Sequence, residues 1–269
     1  MLVAPAWLWM TLFFLCPLLV VLVYSFLSRG DYGGVTLPLT AASYRRFVDP
    51  LYLTILARTA WMAALTTGLC LVLGYSVAYY IAFRGGRRKH LLLFLVVLPF
   101  WTSFLVRTYA WIFLLRDTGL INTVLVRLGL IETPLPLLYN DGAVLVGLVY
   151  GFLPLMILPL YASLERLDRT LLEAAADLGA SPLARLWRVT VPLTRPGICS
   201  GSILVFISAL GAYITPDLLG GGKSILIGTL VQNQFTTGRD WPFGAAVSLL
   251  LMVLVVAGLR WYGREGETS

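Results

Sequence analysis

The 269 residues are 59% hydrophobic and only 12% charged, with a mean hydropathy of +0.86, against roughly 45–50% apolar and about 25% charged residues in ordinary soluble chains. A chain this apolar stays dispersed only if much of its surface faces lipid, which excludes a soluble globular domain and points to an integral membrane protein. The 20 Lys and Arg against 13 Asp and Glu give +7, an excess that here marks cytoplasmic loops and not a nucleic-acid surface.

A membrane-crossing helix needs about 20 mostly apolar residues, and six stretches qualify. The first, about 5–27, lacks a basic leader region and a small-residue cleavage site, so it reads as a retained helix. The second, 59–83, ends at Arg84-Gly-Gly-Arg-Arg-Lys89, a dense basic turn that assigns this end to the cytoplasm. The third, 91–115, carries Pro99 and the one charge inside a span, Arg107. An intramembrane charge is a functional candidate by default. Arg107 has two structural alternatives, snorkelling to the interface or binding carbonyls freed near Pro99. The fourth span, 143–163, contains Pro154 and Pro159, and the first contains Pro17; each is a kink site. The fifth, 198–218, and the sixth, 243–262, complete an all-α membrane protein read as one domain, 1–269. Six spans put both termini on one side, the cytoplasmic one, with Arg260, Arg264, Glu265 and Glu267 closing the chain there.

Between the fourth and fifth spans, residues 164–196 are too long and too patterned for a connector. Thr170-Leu-Leu-Glu173 has the capping-box spacing, Gly179 suits a left-handed position after a short helix, and Ser181-Pro182 suits the cap and first residue of a second helix. Helices this short are marginal in water, so the resulting elbow must pack against a partner. Small residues Ala174, Ala175, Ala176 and Ala180 permit close approach, with Arg185 and Arg188 on the rim. Further on, Gly220-Gly-Gly-Lys-Ser224 superficially resembles a phosphate loop. It lacks the required earlier glycine, because Asp217 stands there, and no strand precedes it. It reads as a flexible outer loop.

Glu173-Ala174-Ala175, Gly179 six positions after the Glu, and Val189-Thr-Val-Pro192 together resemble the EAA loop of permease subunits of bacterial ABC importers. Val189 and Val191 stand where that family usually has Ile and Leu. Leu98-Pro-Phe-Trp-Thr-Ser103, Arg107-Thr-Tyr-Ala-Trp111, Pro159-Leu-Tyr161, Pro216-Asp-Leu-Leu-Gly-Gly221 and Arg239-Asp-Trp-Pro-Phe243 resemble most closely its spermidine/putrescine branch. The resemblance implies a type I importer permease fold with the elbow as coupling helix. Glu173, Ala174, Ala175, Asp177, Gly179, Ser181 and Pro192 would then engage the ATPase. It also implies an inner-membrane assembly: a second, related permease subunit in a heterodimer, two copies of a cytoplasmic ATPase holding ATP and Mg, and a periplasmic or lipid-anchored solute-binding protein. The chain itself is expected to bind no cofactor, no metal and no nucleic acid, and to meet membrane lipid.

Candidate pathway residues are Trp101, Thr102, Arg107, Tyr109, Trp111, Tyr213, Asp217, Asp240 and Trp241. Aromatic faces and carboxylates suit alkyl-ammonium groups, although aromatics at this depth also serve as interfacial belts. Asp217 has a second reading, capping a helix end or pairing with Lys223. Related permeases carry iron(III), sulfate, thiamine, phosphonates or opines. A gradient-driven transporter would need intramembrane acids or a repeat, and the spans contain almost no acids. A membrane enzyme would need more than the lone His90 and the scattered Cys16, Cys70 and Cys199.

Overall fold

A computed structural model of the chain describes residues 4–266. Both chain ends, with Glu267 and the placement of the termini that depends on them, lie outside the described residues. In chain order the elements are α1 (Ala4–Ser25), the antiparallel hairpin β1 (Ser28–Arg29) and β2 (Val35–Thr36), α2 (Ala42–Phe47), α3 (Pro50–Arg84), α4 (Lys89–Val97), α5 (Phe104–Leu115) and α6 (Leu120–Arg127). Then come α7 (Asp141–Glu165), α8 (Arg169–Asp177), α9 (Pro182–Arg185), α10 (Val191–Leu193), α11 (Arg195–Leu210), α12 (Ile214–Gly220), α13 (Ile227–Phe235) and α14 (Trp241–Gly266). Among the described residues five helices are long and apolar enough to cross a membrane. The count becomes six if Pro182–Leu193 and Arg195–Leu210, bent by 69°, are taken as one broken span.

Three of the expected spans change in the structure. The second is much longer than 59–83: α3 runs for 35 residues, about 52 Å at 1.5 Å per residue. The third is not continuous over 91–115. After α4 a 3₁₀ turn at Leu98–Trp101 carries Pro99, Thr102 and Ser103 are extended, and α5 restarts at Phe104. Pro99 has no N–H to donate and crowds the preceding turn, so the helix breaks within one turn of it. The fifth span breaks at 211–213. Pro216 cannot donate to the carbonyl of Ala212, and placing it in the first turn of a new helix removes that cost, because the first four N–H groups there have no intrahelical partner.

The chain forms two compact units, Met1–Ala57 with Leu226–Ser269, and Arg58–Ile225. In the first, Phe47, Ile227, Leu230, Phe243 and Val247 form an apolar cluster. Arg46 on α2 donates from Nη1 to Asp240 Oδ2 at 2.8 Å and from Nε to the Tyr52 hydroxyl at 3.0 Å, with its guanidinium 4.3 Å from the Phe243 ring centre. Asp240 Oδ1 accepts from the Phe243 N–H at 3.2 Å and so caps α14. Asp240 is only 4% exposed. Its carboxylate therefore pairs with Arg46 and caps α14 within its own unit. Asp240→Ala removes a cap and a charge-assisted bond and leaves Arg46 half-satisfied. An expected loss of about 2 kcal/mol is readable as a lower thermal midpoint in detergent, and a midpoint equal to the parent's would contradict it.

The second unit is built around α7. Cys70, Ala78, Met156, Ile157, Leu160, Leu164 and Val205 form its buried cluster. Glycines let α11 approach α7 closely: a Cβ on Gly197 would stand 2.6 Å from Ser163 Cβ, and one on Gly201 would stand 2.7 Å from Met156 Sδ. On the other flank a Cβ on Gly147 would meet Leu219 Cδ1 at 2.5 Å. Small residues four apart are the packing device of membrane helices, where apolar burial gives no drive for association and close van der Waals contact does.

The Gly220–Ser224 segment is a turn with defined geometry. Gly221 and Gly222 adopt left-handed backbone (φ 56° and 77°), and the Gly221 backbone lies against the Tyr139 ring. Ser224 is buried and its hydroxyl donates to Asp141, which also takes two bonds from Arg58 Nη2 at 2.7 and 2.8 Å. Arg58 Nη1 donates to the Lys223 carbonyl at 3.2 Å. Both ends of the turn are therefore tied.

The candidate coupling elbow and pathway residues

The elbow forms as expected, with one local correction. The cap of α8 is Asp168, not Thr170: Asp168 Oδ1 accepts from the Thr170 N–H at 3.0 Å. Asp and Thr both make good caps, but Asp168 stands two residues earlier. Its carboxylate, favoured at a helix start, wins and pushes Thr170 inside the helix. That bond from the Thr170 N–H holds the Asp168 carboxyl below the usual carboxylate range.

At the other end of α8 the Gly179 N–H donates to Ala176 O at 2.9 Å and the Ala180 N–H to Ala175 O at 3.0 Å, while Gly179 sits at φ 82°. This paired closure is the Schellman arrangement, which requires a left-handed residue at Gly179. Ser181 Oγ then accepts from the Ala184 N–H at 3.3 Å, with Pro182 opening α9. A single π-helical stretch, Leu186–Thr190, follows, its extra residue accommodated by Thr190 Oγ1 donating to Arg185 O at 3.3 Å. Arg185 does not decorate the rim as expected, since its Nε is buried without a hydrogen-bond partner.

The elbow is tied to the helices behind it. Arg169 Nη2 donates to Ala82 O at 3.1 Å, its guanidinium lies 5.6 Å from the Phe83 ring, and Lys89 Nζ meets Glu165 Oε1 at 2.6 Å. A cavity of about 580 Å³, lined by Ser163, Arg166, Leu171, Leu193 and Gly197 among others, lies where α7, α8 and α11 converge. Glu173, Ala174, Asp177, Gly179, Ser181 and Pro192 are exposed, and Ala175 is half-buried. Beside them Leu178 is 89%, Leu183 66% and Trp187 63% exposed, a set of large apolar groups no monomer surface needs. Sequence reasoning missed Trp187 and the Arg169 anchor. A tryptophan flanked by Arg185 and Arg188 was the available signal for the first; nothing local signals the second.

The pathway candidates separate. Trp101, Thr102, Arg107, Tyr109 and Trp111 lie at the α4–α5 break and on α5, while Tyr213 and Asp217 lie at the α11–α12 break and on α12; α5 and α12 pack together. Asp240 and Trp241 belong to the other unit. Trp101 is exposed and meets Phe94 edge-on at 5.5 Å, and Thr102 Oγ1 donates to Pro99 O at 2.7 Å. Trp111 packs edge-on against Tyr150 at 5.6 Å, and Trp241 stacks with Tyr24 at 6.2 Å. Tyr109, Tyr213 and Asp217 are exposed. No ion pair joins Asp217 to Lys223 among the described residues, and the cap position of α12 is Tyr213. Neither alternative use of Asp217 is realised. Arg107 is not bound to carbonyls through Nε or Nη1, which are buried without hydrogen-bond partners; its guanidinium lies 5.5 Å from the Phe100 ring and 5.4 Å from Phe104. The rings offer it cation–π stabilisation.

Residues 70–264 match the family of binding-protein-dependent transport system inner membrane components. The chain is 44% identical over 259 residues to the spermidine/putrescine transport system permease protein PotB of Escherichia coli (strain K12), covering 96% of this chain and 94% of the relative. It is 43% identical over 259 residues to the PotB of Haemophilus influenzae, covering 96% and 91%. In three dimensions it is similar to a chain of a bacterial alginate ABC transporter in complex with an alginate pentasaccharide-bound periplasmic protein. There the TM-score is 0.73 at 16% identity, over 95% of this chain and 89% of that one. A chain of the MetNI methionine ABC transporter aligns with TM-score 0.54 at 18% identity, over 81% and 97%. The fold is that of a type I ABC importer permease.

Proposed function

From membership of the binding-protein-dependent transport family, to which this chain belongs, we infer that it is the membrane-spanning permease subunit of an ATP-driven importer for spermidine, putrescine or a related small amine-bearing solute. The observation that carries this reading is the near full-length 44% identity to a spermidine/putrescine permease; an elbow with a closed turn and exposed Leu178, Leu183 and Trp187 supports it. The chain works in the inner membrane with both termini in the cytoplasm. It pairs with a second, related permease, two copies of an ATPase that binds ATP and Mg, and a periplasmic solute-binding protein. Closure of the ATPases moves the two elbows, and the rigid turn at Gly179 passes that motion to the spans.

Co-purification of the tagged chain in mild detergent tests the reading. The expected result is an associated ATPase whose activity rises with polyamine and binding protein together. An ATPase indifferent to polyamines would overturn the substrate, and none at all would overturn the importer. At the pathway, the exposed and unpaired Asp217 offers a carboxylate to an ammonium group. Asp217→Asn should therefore reduce uptake of spermidine several-fold, with little change in thermal stability. Unchanged uptake would remove Asp217 from the pathway.

A further inference from the structure

We propose that the pocket formed by Tyr32, Phe235, Arg239 and Trp241 binds the headgroup of an anionic phospholipid, with Arg239 holding its phosphate. The pocket, an open groove of about 440 Å³, lies between the β1–β2 hairpin and the segment that enters α14, within the size range of small-ligand sites. Its position is at the membrane boundary. The candidate spans Trp7–Ser25 and Trp241–Arg260 meet here end to start, with Tyr24 stacked on Trp241, as an interfacial aromatic belt requires.

Two features make this a built site and not a surface dent. First, Arg239 adopts a left-handed backbone, φ 46°, a conformation that is costly for a non-glycine residue and persists only when its surroundings enforce it. They do so here. The Gly34 N–H donates to Arg239 O at 2.9 Å, Arg29 Nη2 donates to Gly238 O at 2.8 Å, and Gly33 lacks the Cβ that would stand 2.5 Å from Arg239 Cβ. Second, the side chain carried there ends in a guanidinium that makes no bond to the fold, since it is exposed and has no hydrogen-bond partner among the described residues. No acid lines the pocket, and the neighbouring Asp240 is already neutralised by Arg46. An unpaired guanidinium at headgroup depth, in a pocket that aromatic side chains also line, selects a phosphate whose lipid carries net negative charge. A polyamine would be repelled.

The test reconstitutes the assembled transporter in nanodiscs of phosphatidylethanolamine and phosphatidylglycerol in equal parts and counts retained lipid by native mass spectrometry. Arg239→Gly is the informative variant, because glycine relieves the left-handed backbone. Stability should hold or rise while one phosphatidylglycerol per chain is lost, with phosphatidylethanolamine unchanged. Equal phosphatidylglycerol counts in parent and variant would overturn the proposal. So would loss of phosphatidylethanolamine to the same extent. If lipid counts stay equal while stimulation by the solute-binding protein falls, the pocket receives a protein acid instead, and the lipid assignment is wrong.

Discussion

Gly179→Val should abolish polyamine uptake, by roughly tenfold or more, while leaving membrane insertion and basal ATP hydrolysis by the co-purified ATPase in place. The argument rests on backbone and not on space. No heavy atom lies within 4 Å of where a Gly179 Cβ would stand, so a Cβ there meets nothing. The residue is at φ 82°, where a β-branched residue is a genuine outlier and even a simple L-residue costs roughly 1–2 kcal/mol. The two bonds that close α8, from Gly179 N–H to Ala176 O and Ala180 N–H to Ala175 O, exist only in that conformation. With valine the turn opens, α8 and α9 change their mutual angle, and the exposed Leu178, Leu183 and Trp187 move relative to one another. Gly179→Asn should be milder, because asparagine tolerates the left-handed region. Measuring uptake and ATP hydrolysis side by side in proteoliposomes settles the matter: normal uptake by Gly179→Val would mean that this turn transmits no force.

The largest loss of stability is expected from Gly197→Val. Here space decides. A Cβ at Gly197 would sit 2.6 Å from Ser163 Cβ and 2.7 Å from the Pro159 carbonyl oxygen, and that second neighbour is backbone, which cannot rotate away. Overpacking of this kind costs about 1–3 kcal/mol for small additions, and valine adds more than a methyl group. The α7–α11 contact through Met156, Leu160, Leu164 and Val205 is the centre of its unit, so separating the two helices loosens the whole cluster. At about 2–4 °C per kcal/mol for a chain of this size, the thermal midpoint should fall by roughly 5–10 °C. Gly68 is the control: it lies on α3 with nothing within 4 Å of its missing Cβ. Gly68→Val should move the midpoint little. Equal shifts in the two variants would show that glycine packing is not what holds α7 to α11.

Much of the site was readable locally. Gly179 and Ser181-Pro182 announce a helix end and a helix start by residue type alone, and the structure uses both. The misreading of Thr170 shows the limit of that grammar. Two adequate caps stood two residues apart, and it is the Asp168 carboxylate, not the Thr170 hydroxyl, that accepts a helix-start N–H. Asp240 shows a different limit. Its place beside Trp241 at a span boundary suggested a cation site, and no local pattern announced that it pairs with Arg46, which lies on α2 at the far end of the sequence.

The amino-acid sequence by itself determined that this is a helical membrane protein with apolar spans and a structured elbow. These are properties of transfer to lipid and of backbone capping, both of which act over about 20 residues or fewer. Only the tertiary structure decided where the third and fifth spans break, that the glycine turn before Ser224 is tied to Asp141, and that Arg107 lies among phenylalanine rings without bonds to Nε or Nη1. In each case the deciding term is the packing or pairing of groups distant in sequence. Such contacts exist only once the helices have come together, and no local pattern encodes which partner arrives.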